Sequence, residues 1–213
     1  MLDNKIYVID DMIDVEYQNA IKNVLMGSYF YKKKEFPWFY ISDVTDSHNA
    51  YSQNRRAMCH KCVDYNEETN VSKRHTIFHS MFICLLLTAC KRMDIKNVDV
   101  LQGRSFLQFP LNLKDKTVDT PHIDIKRKHF VVLYYVCDSD GDTIIYNERE
   151  LSDSYTVKES VTPKQGRTVI FDGSLYHTAQ QPMNNIRCVV NYNLSPRNPP
   201  SSTPTGKETT EPV

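Results

Sequence analysis

Two stretches of this chain carry residues able to hold a metal, and they differ in kind. In "TPHIDIK" the imidazole of His122 and the carboxylate of Asp124 stand two positions apart, and "FDGSLYHTA" presents a second imidazole, His177. On an extended strand, residues i and i+2 face the same way, so His122 and Asp124 can share one target. Two neutral imidazoles and a carboxylate make the facial donor set of non-haem Fe(II), which leaves the opposite positions open for O2 and a co-substrate. Ten residues beyond His177, Arg187 opens the segment "RCVVNYNL". A guanidinium is always charged and grips a carboxylate through two parallel hydrogen bonds. By itself H-x-D is a common pair, and a strand histidine is often only a hydrogen-bonded structural residue.

The second stretch is "CHKC", followed by "HTIFH". Cys59, Cys62, His75 and His79 are spaced C-x2-C-x12-H-x3-H, which is the ligand spacing of a Cys2His2 zinc finger. A finger also needs two apolar residues for its small core. Those positions here are Asn66 and Ser72, with Tyr65 and Val71 each one place off. The intervening "VDYNEETNVSKR" lacks hairpin alternation, and His75 and His79 sit at i, i+4 on one face of an expected helix by ordinary geometry. The expected role is structural, with a zinc-binding nucleic-acid module kept as a rival.

The surrounding pattern supplies the elements. "KIYVID" reads as an opening strand and "DVEYQNAIKNVLMG" as a helix, with Val15, Ile21, Val24 and Leu25 as its stripe and Gly27 as its cap. A second, strongly apolar helix is expected over about residues 74–93. From about residue 97 the texture changes to short strands between turn-formers: "VDVLQGRSFLQF", "KHFVVLYYVCD", "GDTIIYNE", "SYTVKES", "GRTVIFDG" and "RCVVNYNL". That spacing predicts an all-β sandwich or barrel. Alternation from Arg187 puts Val189, Asn191 and Asn193 on its face, which makes Asn191 a candidate beside the site. "KRK" at 126–128 reads as a solvated loop, His129 as a surface or strand residue, and Trp38, Phe39 and Tyr40 as packing or rim. "SPRNPPSSTPTGKETTEPV" has the composition of a disordered tail.

Together these pieces resemble the 2-oxoglutarate/Fe(II)-dependent oxygenase superfamily, in particular its prolyl-4-hydroxylase-like branch and small phage-encoded members. "PHIDI", "FVVLYYVCDSDGDTIIYNE", "GRTVIFDGSLYHTAQQ" and "RCVVNYNL" carry the likeness, with "YVIDDMID" and "FPWFY" at the N-terminal side. The resemblance implies a mainly β protein with a double-stranded β-helix (jelly-roll) core over 97–195. An N-terminal α/β support region over 1–96 would pack on it, and the tail would cover 196–213. It implies that His122, Asp124 and His177 ligate Fe(II), that Arg187 binds the distal carboxylate of 2-oxoglutarate, and that Tyr134 donates to the same carboxylate. The resemblance also implies O2 as the oxidant and leaves room for ascorbate as an accessory reductant. The activity implied is hydroxylation of an unidentified substrate, a peptidyl proline or other protein side chain first, with release of succinate and CO2. Departures from the usual pattern are Val189 in place of a hydroxyl residue, Gly141-Asp142 in place of two glycines, and Phe106 and Phe109 where a polar contact is common.

Bulk properties agree. Lys plus Arg and Asp plus Glu are 26 each, giving a formal net charge of zero, whereas a dedicated nucleic-acid binder usually shows a basic excess. In 213 residues the six cysteines are irregularly placed and suggest reduced thiols rather than a disulfide framework. The N-terminus lacks a basic-then-apolar signal pattern, and "MFICLLLTAC" is too short to cross a bilayer. A cytoplasmic protein is the expectation. A catalytically silent jelly roll is the other rival reading.

Overall fold

The computed structural model describes residues 5–27, 36–44, 55–111 and 118–197. Beyond residue 197 the expected tail lies outside the described residues. In chain order the elements are β1 (Tyr7–Ile9), α1 (Val15–Met26), β2 (Phe39–Ile41), β3 (Ala57–Asn66), β4 (Val71–Arg74), a 3-10 segment (Ile77–Phe82), α2 (Ile83–Arg92), β5 (Val98–Gln108), β6 (Phe130–Tyr135), β7 (Thr143–Tyr146), β8 (Val157–Val161), β9 (Thr168–Asp172), β10 (His177–Ala179) and β11 (Arg187–Pro196). The strands form two antiparallel sheets. One runs β1-β9-β6-β11-β5-β3-β2, with β4 paired to β3, and the other runs β10-β7-β8.

The large sheet is covered on both faces. Toward the small sheet, Val131, Leu133, Tyr135, Val169, Phe171 and Val189 meet Ile145, Val161 and Leu175. On the other face Val132, Tyr134, Val190 and Tyr192 pack with Ile21, Leu25, Phe82, Leu85 and Ala89 of the helical layer. A strand buried on both sides needs apolar residues at every position, which is why β6 reads "FVVLYY" without alternation. Asp14 caps α1 by accepting from the Glu16 amide at 2.9 Å. At the other end the Gly27 amide donates to the Asn23 carbonyl at 3.1 Å. Ile21 and Leu25 form the buried stripe as expected, but Val15 is left exposed.

Three local expectations are corrected. The helix expected over 74–93 is a 3-10 segment capped by Thr76 that runs into the shorter α2. The stretch without evident alternation is a hairpin: β3 pairs with β4 from Val63↔Arg74 to Asn66↔Val71, turning through Asn70 in the left-handed region (φ 55°). β3 lies inside the sheet and its register shifts between Lys61 and Val63, which scrambles a two-residue period. The N-terminal region also does more than pack on the core, since it adds β1, β2, β3 and β4 to the large sheet.

The same strand takes the zinc-finger spacing apart. Cys59 lines the pocket between the sheets, whereas Cys62 is buried in the helix-side core, as a three-residue offset on a strand requires. Burial pushes the Cys62 thiol up to about 11. His79 is buried against Tyr192, ring nitrogen to hydroxyl at 2.9 Å, and His75 is exposed. All six cysteines are free. Among the described residues, no helix is long and apolar enough to cross a membrane.

Candidate active site

The pocket opens on the face of the large sheet that looks toward the small one. It has a volume of about 630 Å³, and His122, Asp124, His177, Arg187, Val189 and Asn191 all line it. His177 comes from β10. His122 faces it through a single two-way bridge, each backbone amide donating to the other's carbonyl at 3.0 Å. The expected H-x-D strand is therefore only one bridged residue followed by a bend, yet both side chains reach the same point. The ligand atoms of His122, Asp124 and His177 lie within 4.8 Å of one another.

Hydrogen bonds orient the two rings. Nδ1 of His122 lies 3.1 Å from the Thr120 carbonyl and Nδ1 of His177 lies 3.1 Å from the Leu175 carbonyl. A carbonyl can only accept, so in both rings Nδ1 carries a proton. In the neutral rings a metal needs, Nε2 is then the nitrogen that offers the lone pair. Those Nε2 atoms stand 3.9 and 3.7 Å from the two carboxylate oxygens of Asp124. Burial alone would push the Asp124 carboxyl up, but its contact with His177, and then His122 and Arg104, outweigh that and hold it well below the usual range. Burial, and then the neighbouring His177, lower the pKa of His122. Asn191 Nδ2 donates to Asp124 at 3.1 Å, orienting the carboxylate as expected of a residue on that face.

Small features hold this geometry in place. Ser174 donates its amide and hydroxyl to Asp172 at 3.0 and 2.8 Å, folding the turn that leads to His177. A side chain at Gly173 would overlap the ring of His129 at 2.1 Å, so only glycine lets that turn seat on it. His129 is accordingly a buried packing residue just ahead of β6, rather than the surface or strand residue expected. Ahead of Arg187, Asp140 accepts from the amides of Met183, Asn184 and Asn185 at 3.2, 3.0 and 3.2 Å, which fixes the entry into β11.

Arg187 is buried, and three of its five N–H groups are spoken for. Nε donates to the Gly141 carbonyl at 3.0 Å, one Nη to Gln108 Oε1 at 2.7 Å and the other Nη to Thr143 Oγ1 at 2.8 Å. One N–H remains on each terminal nitrogen, the pair needed for a bidentate grip on a carboxylate. Burial lowers its pKa, and among the described residues no carboxylate bonds to it. A Cβ at Gly141 would press on the Gln180 carbonyl at 2.7 Å and Arg187 Cδ at 3.1 Å. The one glycine kept in the Gly141-Asp142 turn is thus the one Arg187 requires.

Tyr134 is not brought to this site. It lies on the helix-side face, and its buried hydroxyl has no partner. Its neighbour Tyr135 faces the pocket side and donates to Thr143 Oγ1 at 2.7 Å, the same hydroxyl that Arg187 holds. Alternation puts one of two adjacent tyrosines on each face, and in a run buried on both sides the sequence gives no phase. Gln108, Thr143 and Asp119 were also missed. Asp119 is buried in the pocket wall, accepts from Gln181 Nε2 at 2.6 Å and lies 3.6 Å from Arg55. Burial raises its carboxyl to about 6. Reading "LQGRSFLQ" with a two-residue period would have placed Gln102, Arg104, Phe106 and Gln108 on one face; all but Gln102 line the pocket.

The fold has solved counterparts. The architecture is mainly β with two short helices, and it is similar to the jelly-roll core of solved 2-oxoglutarate/Fe(II) oxygenases, the fold that the resemblance implied. An oxygenase of that family from Burkholderia pseudomallei is similar with a TM-score of 0.64 and 12% identity, covering 91% of this chain and 86% of the other. A prolyl hydroxylase from Trichoplax adhaerens, solved in complex with a hypoxia inducible factor oxygen degradation domain peptide fragment, follows at 0.58 and 12%, covering 91% and 84%. The viral collagen prolyl hydroxylase of Paramecium Bursaria Chlorella virus-1, in its 2OG complex, gives 0.55 and 10%, covering 91% and 98%. No family model and no curated protein sequence matches the chain.

Proposed function

We propose that this protein is an Fe(II)- and 2-oxoglutarate-dependent dioxygenase that hydroxylates a substrate with release of succinate and CO2. The observation that carries the reading is the pairing, in one pocket, of a His-Asp-His set whose ligand atoms converge with both Nδ1 atoms held by backbone carbonyls and a buried guanidinium with two N–H groups to spare. His122, Asp124 and His177 would hold Fe(II), and Arg187 would take the distal carboxylate of 2-oxoglutarate, its orientation set by Gln108, Thr143 and, through Thr143, Tyr135. When bound, the metal and co-substrate supply the oxidising chemistry. The chain supplies three ligands on one face, a charge-matched floor and an apolar wall of Phe106, Leu133 and Val189. Asn191 fixes the carboxylate that opposes the two imidazoles.

The favoured substrate is a protein or peptide side chain, in keeping with the Trichoplax structure, which was solved with a peptide fragment. The test needs no substrate. Anaerobic addition of Fe(II) and then 2-oxoglutarate should produce the visible charge-transfer band of the chelate at one equivalent of each. Absence of that band, with the protein folded, would refute the reading and leave a silent jelly roll.

A further inference from the structure

A second guanidinium faces the pocket and has no use in the arrangement around Arg187. Arg104 stands on β5 between Lys61 of β3 and Asn191 of β11, a row of direct cross-strand partners on the pocket-lining face. Its charge is felt at His122, Asp124 and Cys59. Its Nε is fully buried without an acceptor, and no carboxylate among the described residues pairs with it. Lys61, by contrast, is taken up by Asp64 at 3.1 Å. Burying a donor of a cation without a hydrogen-bond acceptor is costly. Across the strand pair Asn191 is the mirror case. Its Nδ2 is committed to Asp124, which turns its amide and leaves Oδ1 buried without a donor. A cationic fork and a lone acceptor therefore lie side by side, on strand partners about 5 Å apart at Cα, next to the metal ligands.

We propose that Arg104 and Asn191 form a substrate subsite that reads an α-carboxylate together with the N–H beside it, as presented by a free amino acid or by the C-terminal residue of a peptide. The carboxylate matches the planar fork of Arg104, and the neighbouring N–H satisfies Asn191 Oδ1. A phosphate ester offers only acceptors and would leave that oxygen orphaned. Because Asn191 also holds Asp124, a residue seated on the pair has its Cα beside the triad and its side chain directed across the metal face. The subsite deepens the oxygenase reading and rests on it for the reaction that follows.

The experiment uses matched acids and amides. Each of the twenty L-amino acids, its N-acetyl derivative and the carboxamide of both are added anaerobically to the Fe(II)- and 2-oxoglutarate-loaded protein while the chelate band is followed. Ligand-observed NMR on the metal-free protein reads the same compounds without the band. At least one acid should perturb the band and bind roughly ten- to a hundredfold more tightly than its carboxamide, the loss expected for one charge-assisted contact. Arg104→Met should abolish that preference. Asn191→Leu should weaken the acids that keep an N–H more than matched carboxylic acids that lack one. Binding of both free and N-acetyl forms assigns the C-terminal residue of a peptide, and binding of the free form alone assigns an amino acid. Acids and amides acting equally, no compound binding, or Arg104→Met keeping the preference would each overturn the subsite. A missing chelate band with intact acid preference by NMR would remove the oxygenase reading and keep the subsite.

Discussion

The two metal-like sets in this chain contrast in what a spacing means. Cys59, Cys62, His75 and His79 have the right count for a zinc finger, and the fold sends them to a pocket wall, a core, the surface and a second core contact. His122, Asp124 and His177 are spread over a long stretch, and the fold brings their ligand atoms within 4.8 Å. Spacing measures distance along the chain, and only the element under it converts that into direction. On β3 a three-residue step reverses the face. At the His122–His177 bridge, residues far apart in sequence become neighbours with their tautomers set by backbone carbonyls.

The largest effect that tests this contrast is loss of metal. Asp124→Ala should lower Fe(II) affinity by more than about a hundredfold, the range in which even supporting residues of metal sites begin to matter, and should abolish iron-dependent conversion of 2-oxoglutarate to succinate. Cys59→Ser should leave iron content and that conversion unchanged. Metal analysis and succinate assays on both variants check it, and normal succinate from Asp124→Ala would defeat the assignment. Next in size is the anchor. Arg187→Met should raise the 2-oxoglutarate requirement about a hundredfold, as expected for a lost bidentate charge-assisted contact, while the iron requirement moves far less. Equal changes in both would argue against the anchor role.

How far the sequence carried depended on whether chemistry or packing chose the residue. His122, Asp124, His177 and Arg187 stood out because few roles call for those types together. All six strands expected after residue 97 are present. Residues chosen by the face they occupy were harder to read. In "FVVLYY" every position is buried, so nothing marks which tyrosine faces the pocket. Arg104 and Gln108 sit on a strand whose alternation was legible, but their partners come from β3 and β11 and only the sheet order brings those together. Asp119 gives no sequence signal, because its character comes from burial beside Gln181 and Arg55.

Asp119 separates the pocket from the surface in a smaller, pH-dependent way. Its carboxyl is raised by burial to about 6 from an ordinary value of 3.8. Between those values the folded protein holds more protons than the unfolded chain, so stability from this group falls as pH rises, and above about pH 6 the full penalty is present. Asp10, exposed and bonded to Arg167, has the opposite sign: its carboxyl is lowered, and its contribution fades as pH falls below the usual carboxylate range. Asp119→Asn should remove the buried term alone. Relative to the parent it should gain on the order of 2 kcal/mol between pH 4.5 and 7.5, read from urea unfolding without ligand. A pH-independent difference between the two proteins would show that Asp119 does not titrate in this window.

The finest comparison is between adjacent tyrosines. Tyr135 donates to the Thr143 hydroxyl that also receives Arg187, so Tyr135→Phe frees that hydroxyl to turn and loosens the fork. A several-fold rise in the 2-oxoglutarate requirement is expected, about the value of one neutral hydrogen bond. Tyr134 has the same side chain one position earlier, but its hydroxyl is buried on the helix side without a partner. Tyr134→Phe removes an unsatisfied polar group and keeps the ring, so the co-substrate requirement should stay unchanged. Stability should stay equal or rise by about 1 kcal/mol. Thermal unfolding and 2-oxoglutarate titration of the two variants read opposite columns of the same pair. If Tyr134→Phe were the variant that weakened 2-oxoglutarate, the phase of β6 and the anchor pocket built on it would both have to be redrawn.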